Sequence, residues 1–213
     1  MSIGKFISLE GGEGSGKSTQ IRLLKSKLEE QGLDVIMTRE PGGTPVAEAL
    51  REIILKGDPD SMDAKTEALI LYAARRNHVE KLIKPALAEG KWVISDRFFD
   101  SSMAYQGIAG GVGETAISEL SQWSLGDFAP DLTLLLDIDV TVGLARAGKR
   151  MAGEAEAEDR FEQFGLSFHQ TMRDAFLRLQ KQSSNRIKLI NADQSLEDVA
   201  KNIWQTVGNH FTL

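Results

Sequence analysis

The sequence contains no cysteine. No disulfide can brace it, and no thiolate nucleophile or cysteine-based metal site can form in it. The lack suits a reducing compartment, and a cytoplasmic location is expected. An excess of positive charge is also missing: 25 Lys and Arg stand against 31 Asp and Glu, a formal net charge of −6. A general nucleic-acid surface needs a basic stripe. DNA and RNA are therefore not expected partners, although a local basic pocket for one nucleotide stays compatible. No apolar run approaches the roughly 18 residues of a membrane span. The N-terminus runs into apolar residues without a charged leader, so neither a membrane nor secretion is expected. No repeat or linker divides the chain. What remains is 213 residues, 41% hydrophobic and 26% charged, enough for one large soluble domain over residues 1–213.

The pattern alternates strand and helix, which predicts a mostly parallel sheet of five strands covered by helices on both faces. Strands are expected at about 5–10, 34–38, 92–95, 132–136 and 187–190. Helices are expected from the glycine-rich turn to Gln31, at 45–55, at 64–88 with a kink or fresh start at Pro85, at 100–106 and at 114–125. A helix from Val140 to Ala147 should dissolve into the polar, small-residue segment 148–158, a lid candidate. Phe161, Phe164, Phe168, Met172, Phe176 and Leu179 step by three and four, the apolar stripe of a long helix. Leu196, Val199, Ile203 and Val207 mark a last one.

The most informative stretch is Gly11-Gly12-Glu13-Gly14-Ser15-Gly16-Lys17-Ser18-Thr19. It matches G-x-x-x-x-G-K-[ST] between an apolar strand and an amphipathic helix, the setting a phosphate-binding loop requires. Glycines let successive N–H groups turn inward as an anion nest, at the positive end of the helix dipole. Lys17 can reach the β- and γ-phosphates of a bound nucleotide, and the Ser18 hydroxyl can ligate Mg²⁺. Such a loop serves ATPases, GTPases and small-molecule kinases alike.

Three further segments narrow the choice. Asp96-Arg97 ends the third strand. If that strand neighbours the first, Asp96 can join a Mg²⁺ shell or face an acceptor oxygen, and Arg97 can fork onto phosphate. Arg39-Glu40-Pro41-Gly42-Gly43-Thr44 suits a phosphate clamp carried by one arginine, and by itself reads equally as a plain turn. Tyr72-Ala73-Ala74-Arg75-Arg76 lies on a long helix, where Arg75 can face a cleft; alone, it reads as a core tyrosine and two solvated arginines. A P-loop switch is the rival class. Its guanine motif needs a lysine that Asn191-Ala192-Asp193-Gln194 does not have.

Together with Pro130-Asp131-Leu132-Thr133 and Asp159-Arg160-Phe161-Glu162, these segments resemble the thymidylate kinase family in order and spacing, from residue 3 to about 207. The likeness is greater to its bacterial form. It implies a P-loop NTPase fold of the nucleoside-monophosphate-kinase type with a lid, transfer of the ATP γ-phosphoryl group to dTMP with Mg²⁺, and a homodimer. A kinase for another nucleotide is the nearest alternative. The resemblance further implies that Gly11, Gly12, Glu13, Gly14, Ser15, Gly16, Lys17, Ser18 and Thr19 hold the donor phosphates. Ala192 would touch adenine, and Ser18 and Asp96 would sit at the metal. Glu13 is expected near the dTMP 3′-hydroxyl, and Arg39 and Arg97 on the dTMP phosphate. Arg75 is expected on thymine, with Leu71, Ser102 and Gln106 lining the base and Tyr105 against the sugar. Leu71 stands where the family usually has a phenylalanine. Some members carry an arginine inside the P-loop; here that position is Gly14, so the catalytic cation is expected from the lid, with Arg146 and Arg150 as candidates. One methyl group is worth only about 1–3 kcal/mol, so modest preference for dTMP over dUMP is expected.

Overall fold

A computed structural model describes residues 4–56, 62–151 and 165–213, with residues 56, 150 and 151 described by backbone alone. Five parallel strands form one sheet in the order β2-β3-β1-β4-β5. These are β1 (Phe6–Glu10), β2 (Val35–Arg39), β3 (Trp92–Asp96), β4 (Leu132–Asp137) and β5 (Ile187–Asn191). The inner strands β1, β3 and β4 are near-continuous apolar runs because helices cover both of their faces. The edge strands β2 and β5 are only half buried. The order is the doubly wound kind, and β1 lies between β3 and β4 with the P-loop at its C-terminal end, where such sheets bind ligands.

The helices are α1 (Lys17–Glu30), α2 (Pro45–Lys56), α3 (Ala64–His78), α4 (Lys84–Ala88), α5 (Phe99–Ser102), α6 (Glu114–Leu125), α7 (Val140–Met151), α8 (Leu166–Gln182) and α9 (Leu196–Phe211). On one face of the sheet, Ile21, Leu24 and Leu28 of α1 meet Val199, Ile203 and Val207 of α9 over Ile7, Leu9 and Leu134. On the other, Tyr72 and Ile117 pack on Phe6, Val93 and Phe98. A third cluster joins Tyr105, Leu135, Met172 and Phe176. Caps are placed where the chemistry asks for them: Asp63 accepts from Thr66 N–H and Ser195 from Asp198 N–H.

Several expected boundaries shift. The long helix expected over 64–88 breaks at a π turn, Val79–Ile83, one turn before Pro85. Proline has no N–H and crowds the carbonyl four residues back, so the ladder slips there and α4 restarts with the proline in its first turn. The helix expected over 100–106 runs on past Gly107, because a second π turn, Met103–Ala109, continues α5. α7 does not end at Ala147: it runs through Gly148 to Met151, since one glycine costs a helix only about 1 kcal/mol. The first part of the expected lid is therefore helical, while 152–158, like Phe161, Phe164 and Arg160, lies outside the described residues. Among the described residues no helix is long and apolar enough to cross a membrane.

Candidate phosphoryl-transfer site

Parallel register places Leu9 opposite Asp96. The P-loop and the Asp96-Arg97 pair therefore leave the sheet side by side, as the sequence reading required. α1 starts directly from Gly16, whose φ is 90°, and aims its N-terminus at the loop. Lys17 lies back over the loop, its ammonium donating to the carbonyls of Gly11 and Gly12 at 3.0 Å each. Burial and the neighbouring Arg97 charge both lower its pKa. Ser18 Oγ donates to Asp96 Oδ2 at 3.0 Å, which sets a hydroxyl and a carboxylate together at the helix start.

Gly14 has φ 67°, and a Cβ there would overlap the carbonyl oxygen of Gly143 in α7. The P-loop and the helix that leads toward the lid thus touch backbone to backbone. No side chain fits at residue 14 while α7 sits where it does.

Arg97 is the hub of the polar cluster beside the P-loop. It holds a left-handed φ of 70°, fixed by its N–H donating to Leu9 O at 2.9 Å. Its guanidinium reaches Glu13 Oε1 at 2.6 Å and the Gly11 carbonyl and Ser101 Oγ at 3.2 Å each. It lies 5.0 Å from the ring centre of Tyr105, whose hydroxyl donates to the same Glu13 oxygen at 3.0 Å. Burial alone would raise the Glu13 carboxyl. The Arg97 and Lys17 charges and the Tyr105 hydrogen bond outweigh it and hold Glu13 at about 2. Burial pushes the Tyr105 phenol well above its ordinary value, so it stays a donor.

One step further out, Arg75 is buried with Glu40 in an ion pair through Nε. Its NH2 donates to Phe98 O at 3.3 Å and Ser102 Oγ at 3.0 Å, and Tyr72 stacks at 4.6 Å from the guanidinium carbon. NH1 is buried without a partner. Glu40 is itself held by His78 Nδ1 at 3.1 Å, and His78 Nε2 pairs with Thr38 Oγ1 at 2.7 Å. Gly43, at φ 87°, is needed here: a Cβ would collide with both His78 Nε2 and Thr38 Oγ1. Gln106 donates to Glu67 Oε1 at 2.6 Å, and Leu71 is buried between Glu67 and Arg75 on α3.

The thymidylate kinase family model matches residues 9–203. The chain belongs to the thymidylate kinase family. It is 50% identical over 208 residues to a thymidylate kinase of Magnetococcus marinus, covering 98% of this chain and 97% of that one. It is 48% identical over 204 residues to the Afipia carboxidovorans thymidylate kinase, covering 96% and 89%. The crystal structure of an Ehrlichia chaffeensis thymidylate kinase matches with a TM-score of 0.76 at 32% identity, covering 96% of this chain and 98% of that one.

Within this family frame, the expected site residues divide into two groups. Gly11 to Thr19, Asp96, Arg97, Glu13 and Tyr105 converge at the strand ends, and Arg75, Leu71, Ser102 and Gln106 form a second, adjoining group. Arg39 reaches the C-terminal end of β2 opposite Asp96, but its guanidinium pairs with Glu48 of α2 at 3.2 Å, on the exposed side. Glu48 is in turn held below its ordinary range, against the pull of its slight burial, by the Gly43 N–H and by Arg39. Arg146 lies on the opposite side of the P-loop. It donates to the carbonyl of Ala192 at 3.1 Å and pairs with Asp193 at 3.2 Å. The Arg150 backbone continues α7, one turn further.

The sequence reading missed four supporting carboxylates and their partners. Glu10 is fully buried and accepts from Phe98 N–H at 2.7 Å and Ser101 Oγ at 2.6 Å, so it fastens the segment that follows Arg97. Burial first, then the nearby Asp100 charge, raise its carboxyl to about 8. Asp100 makes a two-pronged pair with Arg186, at 2.7 and 2.8 Å. Glu40 and Glu67 anchor Arg75 and Gln106. Only Glu10 carried a signal, as the one charge at the end of an otherwise apolar strand. Arg173, on α8, adds a second clamp by gripping Asp137 at the end of β4 at 2.8 and 3.1 Å.

Proposed function

We infer that the chain transfers the γ-phosphoryl group of ATP to dTMP, giving dTDP and ADP. The observation that carries the acceptor side of this reading is Arg75. Four neighbours fix its guanidinium, yet one amino group is buried and unpartnered. A native fold keeps such an orphan donor when a ligand completes it. A pyrimidine carbonyl is a fitting partner, and Leu71 supplies the apolar contact beside it.

The chemistry follows from positions. An oxygen of the acceptor phosphate forms the new bond to the γ-phosphorus, in line with the bond to the ADP oxygen that breaks. That oxygen is already anionic, so no general base is needed, and Asp96 organises charge instead of taking a proton. Lys17 exchanges its two loop carbonyls for phosphate oxygens. Arg97, held by Glu13, presents its remaining donor capacity to the acceptor phosphate. Glu13, fixed as a carboxylate, accepts from the sugar 3′-hydroxyl, with Tyr105 packed against the 2′ position.

The Ser18 hydroxyl and the Asp96 carboxylate are hard oxygen donors set together, which fits Mg²⁺. Among the described residues no group of three or more His, Asp or Glu could hold a metal by itself, as expected for a cation shared with nucleotide phosphates and water. When bound, Mg²⁺ supplies charge neutralisation on the transferring phosphoryl group. Arg146, beside Ala192, serves the adenine side, and Arg150 is the stronger candidate for a cation delivered to the phosphates on closure.

The protein works as a homodimer in this reading. α2, α3 and α6 lie side by side and leave Val46, Ile53, Leu69 and Trp123 exposed, Trp123 at 85% of its surface. Sedimentation should give a dimer, and Trp123→Glu should weaken it.

Coupled ADP release across dTMP, dUMP, UMP, dCMP, AMP and thymidine tests the activity. The highest kcat/KM is expected with dTMP. Another best acceptor would overturn the reading.

A further inference from the structure

Two stripes of side chains face one another across the acceptor pocket. On α3 these are Glu67, Leu71 and Arg75, four residues apart and all buried. Opposite them stand Ser102 and Gln106, again four apart and both buried. Two hydrogen bonds cross between the stripes: Arg75 NH2 to Ser102 Oγ at 3.0 Å, and Gln106 Nε2 to Glu67 Oε1 at 2.6 Å. Leu71 occupies the middle.

We propose that Glu67 is a specificity-determining positioning residue, which locks the Gln106 side-chain amide in one of its two orientations and thereby decides which pyrimidine edge the pocket accepts. The inference rests on the reading that Arg75 and Gln106 meet the acceptor base. A glutamine amide can turn over at little cost when its neighbours donate and accept equally well. Glu67 removes that freedom, because an ionised carboxylate only accepts. Turning the amide would set its oxygen against the Glu67 oxygen, two buried acceptors with no proton between them. The amide nitrogen is therefore committed to Glu67, and the carbonyl branch is the one left to a ligand.

In this proposal the fixed carbonyl and the unpartnered Arg75 NH1 meet one edge of the base, as an acceptor and a donor. Thymine and uracil present the complement on one edge: N3–H donates and the 4-oxo oxygen accepts. Cytosine presents the reverse, an accepting N3 and a donating 4-amino group. Glu67 thus selects 4-oxo pyrimidines without touching them. It has no influence on the 5-methyl group, so the choice between dTMP and dUMP falls elsewhere.

The test is Glu67→Gln, an isosteric change that can offer Gln106 either an oxygen or an NH2. In the folded variant, confirmed by its melting temperature, kcat/KM for dTMP should fall mainly through KM. The dTMP-to-dCMP preference should narrow by about 10-fold or more. The dTMP-to-dUMP ratio should hold, because both bases share the same edge. Glu67→Asp keeps an acceptor-only group and should keep the dCMP discrimination even where overall activity drops. A folded Glu67→Gln enzyme with the wild-type dTMP-to-dCMP ratio would overturn the proposal. So would a loss that moves the dUMP ratio equally. Should Glu67→Gln not fold, the wild-type protein answers: N3-methyl-dTMP, which has no N3–H, should be a poor acceptor, and its use as well as dTMP would overturn the proposal. A wild-type protein that ignores dTMP would instead refute the acceptor assignment, and that shows before any variant is made.

Discussion

Arg75 and Arg146 are both helix-borne arginines that pair with a carboxylate and a backbone carbonyl, and they differ in burial and in how many further groups hold them. Arg75 is buried, paired with Glu40, hydrogen-bonded to Ser102 and the Phe98 carbonyl, and stacked on Tyr72. Arg146 is exposed and, among the described residues, holds Asp193 and the Ala192 carbonyl on the helix that leads toward the lid candidate. The surroundings of Arg75, on the proposed acceptor side, are built in advance; Arg146, on the proposed donor side, is held by contacts that are weak and exchangeable. Preorganisation suits the partner that must be recognised by its base, because rigid donors discriminate between edges. Exchangeable contacts suit cations that must move on closure.

The sharpest way to probe the donor side is Lys17→Ala. Its ammonium is the one donor-side cation already buried in the loop. Turnover should fall by about 10³ or more while the fold persists; a folded variant with near-normal kcat would remove Lys17 from the chemistry. Next come the two arginines themselves. Arg75→Ala strands Glu40 as a buried charge beside His78 and should cost about 3–5 kcal/mol, read as a large drop in melting temperature together with loss of dTMP binding. Arg146→Ala breaks an exposed pair worth about 1 kcal/mol or less. Its effect should appear in the KM for ATP, and equal destabilisation by the two variants would erase the contrast.

A smaller effect concerns pH. The Glu10 carboxyl lies at about 8 in the folded protein against 4.5 ordinarily, so the fold binds this proton more tightly than the unfolded chain does. Its contribution is fully present below about pH 4.5 and is lost as pH rises through 8. Melting temperature measured from pH 5 to 8 should therefore decline less in Glu10→Gln than in the wild type; parallel declines would refute the assignment. The smallest effect is expected from Leu71→Phe. It should tighten dTMP a few-fold if an aromatic can stack where the leucine packs, and an unchanged Kd would show that the buried stripe leaves no such room.

How much of this was legible beforehand depended on distance along the chain. The P-loop, the strand ends and the Asp96-Arg97 pair were local patterns in the right order, and parallel pairing of β1 with β3 brought them together as expected. The kink near Pro85 was also local. Glu67 and Glu40 were not legible, because a carboxylate on a helix or in a turn reads as solvated until its partner is known. Those partners, Gln106 and Arg75, lie 39 and 35 residues away. The Gly107 and Gly148 boundaries failed for a different reason. Each helix was expected to stop before its glycine, while the helical segment runs through it at modest cost.

The contact between Gly14 and Gly143 has a consequence for how this chain can change. An arginine at position 14 is one substitution away on paper. Here the carbonyl of Gly143 fills the space that the new Cβ would need. Placing any side chain in the loop at position 14 therefore demands that α7 be reseated first. A side chain at position 14 and the present seat of α7 exclude each other, so no single substitution joins the two states.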